Sequence, residues 1–127
     1  MKIAEVSKKC GVSADTLRYY ERVGLIPKVN RNKSGIRDYT EEDCGWVEFI
    51  KCMRGAGLPI EVLIEYVALF QQGDETIDAR KNLLIEQRKH LAEKMKDIKK
   101  TIERLDYKIE RYEAVAMKEN KLKRTDV

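Results

Sequence analysis

Three spacings of apolar residues succeed one another along the chain. Ile3, Val6 and Cys10 stand at helical intervals and stop at Gly11, a residue suited to the positive φ of a helix C-terminus. After Gly-Val-Ser a second short helix is expected: Ser13 can cap it, Asp15 and Thr16 fall in its first turn, Leu17 points inward, and Gly24 ends it before Leu25, Ile26 and Pro27. Two short helices joined in this way are the pattern of a helix-turn-helix, here over residues 3–26.

From Pro27 the spacing shortens. The segment KVNRNKSGIRDYT has Lys-Ser-Gly turn chemistry between two short stretches, which predicts a small β-hairpin over residues 27–40 with Arg37 and Tyr39 on one face of its second strand. Thr40 and Asp43 then resemble a capping box, opening a helix with Trp46, Val47, Phe49, Ile50 and Met53 on a broad apolar face. Gly55 and Gly57 stop that helix, Pro59 begins the next, and Ile60, Leu63, Ile64, Val67 and Phe70 carry it to Gly73.

Beyond about Asp78 there is neither Pro nor Gly, and the period becomes seven: Leu84, Leu91, Ile98, Leu105 and Tyr112, with Met95, Ile102, Ile109 and Ala116 each three residues before or four after a member of that series. Only Arg88 interrupts this seam. About 40 residues at 1.5 Å each make a rod of roughly 60 Å. The preceding seventy or so residues cannot cover so long an amphipathic face, which predicts a homodimer held by Leu84, Leu91, Met95, Ile98, Ile102, Leu105, Ile109 and Tyr112. The seam does not decide between parallel and antiparallel pairing. The expected architecture is mainly α: a DNA-binding-type head over residues 1–73, with helices at 41–72 closing it, and a coiled-coil helix and tail over 74–127.

Composition sharpens this picture in two places. Charged residues make up 38% of the 127, which suits an elongated, well-solvated molecule. The net charge of +4 is modest, but between Lys8 and Arg37 eight cations face only Asp15 and Glu21, a local balance of +6. Positive charge gathered on the helix-turn-helix segment is the footprint of a polyanionic partner, double-stranded nucleic acid above all. The start MKIAEV lacks the apolar run of a signal peptide, and no apolar stretch approaches the ~20 residues of a membrane span, so a cytoplasmic location with no membrane partner is expected. Three cysteines, Cys10, Cys44 and Cys52, then belong to a reducing compartment.

The stretch VSADTLRYYERVGLI, the segment GIRDYTEED, and EFIKCMRGAGLPIEVLIEY followed by a long terminal helix together closely resemble the MerR family of bacterial transcription regulators. Within it the chain is similar to the short branch of AdhR-like and NmlR-like regulators, which respond to aldehydes and other thiol-reactive electrophiles. The resemblance implies a winged helix-turn-helix head, a second, helical wing, and an antiparallel dimerisation helix. It implies binding to a pseudo-palindromic promoter operator whose two polymerase elements are unusually far apart, and activation by distorting that DNA for RNA polymerase. Ser7 and Cys10 stand where alanine is usual in the family, both small enough to pack. The chain ends soon after the long helix, so an effector is expected to act on the head, the hinge or the coil.

On a recognition helix the polar side enters the major groove, where Arg18 can reach base edges or phosphates and Tyr19 can hold phosphate oxygens. Tyr20, three residues after Leu17, is open to either a core or a contact role. Ser13, Asp15 and Thr16 at the helix start complete that face; Arg37 and Tyr39 on the wing are expected to grip backbone, with Lys28, Asn30 and Arg31 from the same hairpin.

Other chemistry finds little support. There is no Cys-x-x-Cys, and Cys44 and Cys52 lie about 12 Å apart along one helix, too far to share an ion, so no metal and no cofactor is expected. His90, the single histidine, falls far along the rod from any cysteine nucleophile, and no phosphate-cradling loop or paired acid motif appears, which argues against an enzyme. Cys10 reads as a packing residue, and Cys44 stands among Glu41, Glu42 and Asp43. Nothing in the helix position of Cys52 activates it; the resemblance selects it, because Lys-Cys-Met-Arg before the Gly-x-Gly hinge matches the branch's sensor cysteine. The rival reading is a MerR-like repressor that is effector-independent or answers a metal or another ligand.

Overall fold

A computed structural model describes residues 1–125, with side chains described through residue 120. Five α-helices follow in order: α1 (Ile3–Cys10), α2 (Ala14–Val23), α3 (Glu41–Gly55), α4 (Ile60–Gln72) and, after a 3-10 turn at Asp74–Thr76, α5 (Ile77–Thr125). The expected coiled-coil and tail span included residues 126 and 127, which lie outside the described residues.

Local chemistry explains where each helix begins and ends. Gly11 adopts φ 64° and its N–H bonds the Ser7 carbonyl, closing α1 in the left-handed turn that a side chain resists. Ser13 caps α2 by accepting from the Thr16 N–H at 3.1 Å. At α3 the capping box is complete, with the Asp43 N–H donating to Thr40 Oγ1 at 3.1 Å and the Thr40 N–H to Asp43 Oδ2 at 2.8 Å. The α3–α4 hinge is held by Arg54, whose Nη1 donates to the Leu58 carbonyl at 2.7 Å.

The chain divides into two units, Met1–Gln87 and a second beginning at Arg88. In the first, Val6 of α1, Leu17 of α2, Leu25, Ile26 and Val29 of the following loop, Val47 and Ile50 of α3, and Leu63 and Val67 of α4 are at most 2% exposed and form one core. Each such side chain contributes roughly 1.5–3 kcal/mol of burial free energy, enough to fix four short helices that would be marginal alone. The first turns of α5 belong to this unit, beyond the boundary expected at residue 73. Arg80 donates to Thr76 Oγ1 at 3.0 Å and to the Gly73 carbonyl at 3.2 Å, with its guanidinium over the Phe70 ring, and Gln87 is buried.

In the second unit Leu91 and Ala92 are half-buried, and from Met95 on the described apolar side chains of the seam are open. Met95, Ile98, Ile102, Leu105, Ile109 and Tyr112 are each more than half exposed. Among the described residues no helix is long and apolar enough to cross a membrane.

The wing departs from the expected β-hairpin. Among the described residues there are no paired strands, only one antiparallel bridge between Arg31 and Arg37. Competing hydrogen bonds explain this. Across the wing the Asn32 N–H donates to the Ile36 carbonyl at 2.8 Å and the Asp38 N–H to the Asn30 carbonyl at 2.7 Å, but Asn32 Oδ1 accepts from the Ser34 and Ile36 N–H groups at 2.9 and 3.1 Å and Arg31 Nη1 donates to the Gly35 carbonyl at 2.8 Å. The turn thus uses groups that a longer ladder would need.

Candidate nucleic-acid interface

The α2 sequence ADTLRYYERV sends Leu17 and Tyr20 into the core and leaves Asp15, Arg18 and Arg22 exposed, with Thr16 and Tyr19 half-buried at the border. The exposed side is internally organised. Arg18 Nη1 bonds Asp15 Oδ1 at 2.9 Å, so a cation and an anion share the outer surface one turn apart. Arg22 lies over the Tyr19 ring, 5.6 Å from its centroid, and the Ser13 and Thr16 hydroxyls lie 2.8 Å apart at the helix start. An exposed pair such as Arg18–Asp15 contributes at most about 1 kcal/mol and is easily exchanged for a phosphate or a base edge.

Glu21, on the same helix, is the connector to the wing. Its Oε2 accepts from the Val29 N–H at 2.9 Å and its Oε1 from Arg37 Nε, in an ion pair whose side chains are only 9% and 23% exposed. Desolvation by burial pushes the Glu21 carboxyl up, but hydrogen bonds from Arg37 and Val29 and the charges of Arg37 and Arg31 outweigh it, so its pKa is lowered below the ordinary 4.5. Recognition helix and wing are therefore clasped into one piece through a single carboxylate.

Ser13 at the cap and Asp15 and Arg18 on α2 are exposed, and Lys28, Asn30 and Arg31 are exposed along the wing. Arg37 is on the wing but half-buried against Glu21. Two expected residues turn inward. Tyr20 is 7% exposed, and burial raises its pKa. Tyr39, expected on the wing surface beside Arg37, is 1% exposed, and its buried hydroxyl has no hydrogen-bond partner. The reason follows from the missing strand. Without period-two alternation Tyr39 need not share the face of Arg37, and it fills the core where the wing returns to α3.

Three residues were not singled out from the sequence. In the sequence Glu21 stands only as an acid diluting the positive charge, and its pairing with Arg37 across sixteen positions has no local signature. Arg22 was counted as a cation without a role, though its position four residues after Arg18 placed it on the same helix face. Ile36 is 50% exposed at the wing tip, and only its place beside Gly35 in the turn signalled exposure.

The thiols separate sharply. Cys10 and Cys44 are buried and Cys52, near the end of α3, is exposed. Among the described residues no group of His, Cys, Asp and Glu is arranged to hold a metal ion.

Comparison with known proteins agrees with this geometry. Residues 1–69 match the model of the MerR HTH family regulatory proteins, and residues 45–107 match the model described as MerR, DNA binding. The chain is 64% identical over 93 residues to the HTH-type transcriptional regulator AdhR of Bacillus subtilis, covering 73% of this chain and 66% of that relative, just under two thirds of its length. It is 31% identical over 110 residues to an HTH-type transcriptional regulator of Haemophilus influenzae, covering 87% and 82% of the two chains. Among solved structures, one described as a MerR family regulator from Listeria monocytogenes superposes with a TM-score of 0.87 at 50% identity over 89% of this chain and 86% of that one. HiNmlR, described as a MerR family regulator lacking the sensor domain and bound to promoter DNA, superposes with a TM-score of 0.81 at 30% identity over 88% and 89%. With a helix-turn-helix whose polar face is exposed and clasped to a wing, the chain belongs to the MerR family of DNA-binding transcriptional regulators.

Proposed function

We propose that this regulator binds a pseudo-palindromic promoter operator as a homodimer and activates transcription by distorting that DNA for RNA polymerase when a thiol-reactive electrophile, an aldehyde for instance, adds to Cys52. The observation that carries the sensing step is exposure: of three cysteines, Cys52 alone is open to solvent. Its similarity to AdhR supports the same branch. An aldehyde would be attacked at its carbonyl carbon by the Cys52 thiolate, and the resulting oxyanion would take up a proton to give a hemithioacetal. Cys52 lies two residues before Arg54, which holds the hinge through the Leu58 carbonyl, so added bulk there would act on the angle between α3 and α4.

On DNA, α2 would enter the major groove with Arg18, Tyr19, Asp15 and Thr16, while Arg31, Lys28, Asn30 and the clasped Arg37 meet phosphates. Two such heads, joined through the exposed α5 seam, would read two half-sites. A second reading, a regulator working without an effector, draws on one comparison: HiNmlR is described as lacking the sensor domain.

The test is transcription from the operator with wild-type and Cys52→Ser protein, with and without an aldehyde. Cys52→Ser should bind operator DNA as wild type does and fail to induce. Normal induction by Cys52→Ser, or no response by wild type, would overturn the sensing proposal and leave the DNA-binding assignment untouched.

A further inference from the structure

The two buried cysteines, with 33 residues between them in the sequence, come together in the core of the head. Cys10 is the last residue of α1 and Cys44 lies in the first turn of α3; they are 5% and 2% exposed. Polar contacts on both sides set the register of these two helices. Lys9 Nζ bonds Glu41 Oε2 at 2.7 Å, and Lys51 Nζ donates to the Cys10 carbonyl at 3.0 Å. Cys10 is thus bracketed on α3 between positions 41 and 51, on the stretch whose inward residues are Cys44, Val47 and Ile50. Burial raises the pKa of the Cys44 thiol, and the nearby Cys10 thiol raises it further. Contacts at Lys9 and at the Cys10 carbonyl hold the end of α1 beside α3. An added Cβ at Gly11 would itself come within 3.0 Å of Lys51 Nζ.

We propose that Cys10 and Cys44 form a second thiol site, separate from Cys52, that closes into an intramolecular disulfide on two-electron oxidation by a hydroperoxide or by disulfide exchange. With a hydroperoxide, one thiolate attacks the O–O bond, giving a sulfenic acid and releasing an alcohol, or water when the oxidant is hydrogen peroxide. The second thiol then displaces the sulfenic oxygen as water and forms the S–S bond. Two electrons pass from the sulfurs to the peroxide, and both thiol protons leave in the products. An aldehyde, which adds to one sulfur and accepts no electrons, cannot drive this step. The two sites therefore sort different stresses: exposed Cys52 meets electrophiles directly, whereas the buried pair responds to oxidants and only as fast as the head opens to admit them.

The closed loop would run from the end of α1 through the turn, the recognition helix and the wing to α3. Cross-linking its ends restricts the unfolded chain and resists opening of the DNA-binding surface. The oxidised head is expected to be harder to unfold, and reduction should restore the original stability.

Tryptic mapping resolves the proposal because each cysteine falls on its own fragment: 10–18, 38–51 and 52–54. Full-length Cys52→Ser protein is treated with hydrogen peroxide, and separately with a glutathione redox buffer; remaining thiols are blocked and the protein is digested. Fragments 10–18 and 38–51 should appear linked, with the loss of two hydrogens from the chain mass, and dithiothreitol should separate them. Cys10→Ala and Cys44→Ala should each abolish the link while the partner thiol remains blockable. A wild-type sample whose Cys52 has been oxidised but whose Cys10 and Cys44 are recovered blocked and unlinked would overturn the proposal. So would linkage of either residue to Cys52 or to a second chain.

Discussion

Removing the carboxylate of Glu21 should unclasp the wing from the recognition helix. One oxygen holds the buried Val29 N–H and the other the half-buried Arg37 guanidinium. A hydrogen bond to a charged group in such a place contributes about 1.5–3 kcal/mol, and a buried backbone donor left unmet costs about 1–3 kcal/mol. The two losses share one side chain and do not add in full, so Glu21→Ala should lower stability by about 3 kcal/mol. Glu21→Gln keeps an acceptor for Val29 and gives up only the charge, and should cost about 1–2 kcal/mol. Against a typical domain stability of about 5–15 kcal/mol, the first loss is plain in a guanidinium titration at fixed protomer concentration.

The pH dependence carries the same signature. Because the folded value of Glu21 is lowered below the ordinary 4.5, the unfolded chain takes up its proton first as acid is added. The contribution is complete above the unfolded value and is lost as the pH falls through the folded one. Wild type should therefore lose stability below about pH 5 more steeply than Glu21→Gln, and the difference between them should shrink to nothing in stronger acid. The reasoning fails if Glu21→Ala unfolds at the wild-type midpoint, or if Glu21→Ala and Arg37→Ala are fully additive in the double variant, since partners in one ion pair must couple.

Four further outcomes can be checked. Tyr39→Phe removes a buried hydroxyl without a partner and keeps the ring, so stability should hold or rise by about 1 kcal/mol, and operator affinity by anisotropy should not change; a several-fold loss of affinity would return that hydroxyl to the interface. Arg18→Ala should cost about 1–3 kcal/mol per half-site at fixed salt, and more than Asp15→Ala, because it leaves Asp15 facing the phosphates unneutralised. Leu91→Asp with Ile98→Asp should yield a folded monomer in sedimentation, since each dimer would otherwise bury four unpaired charges. Cys52→Ser should retain operator binding and lose its response to an aldehyde in a reporter assay.

The helices were legible because their signals are local. Ser13, Thr40 with Asp43, Gly11 and Gly24 act within four residues of where they stand, and each does in the structure what its residue type suggested. The wing keeps only one antiparallel bridge of the expected hairpin, because the same Asn, Ser and Gly that mark a hairpin turn can also consume hydrogen bonds its strands would need, as Asn32 does. That loss of strand carries Tyr39 with it, from an expected surface position to the core. The Glu21–Arg37 clasp and the Cys10–Cys44 pair had no sequence signal at all: each joins residues from different elements, and their meeting depends on how α1, α2 and α3 pack around Val6, Leu17 and Val47.

The interruption of the seven-residue repeat at Arg88 shows what patterning can say once the structure supplies a reference. The unit that contains the head ends at Gln87, and the second begins at Arg88. Before that point Leu83 and Leu84 are half-buried and Gln87 is buried; beyond Leu91 and Ala92 the seam from Met95 to Tyr112 is exposed. A cation at a seam position would be costly if one continuous partner covered the helix from end to end. It costs little where one kind of cover stops and another begins. Arg88 thus falls where burial along the helix face begins to give way to exposure, with Leu91 and Ala92 still half-buried and the seam from Met95 to Tyr112 open; in the homodimer proposed above, that open stretch is the part a second copy would cover. Placing leucine at Arg88 tests this directly. If the seam were continuous, Arg88→Leu would tighten self-association as a repaired heptad does, whereas at a change of cover the dissociation constant measured by sedimentation should stay within about threefold of wild type, less than the roughly 0.8 kcal/mol of one buried methylene.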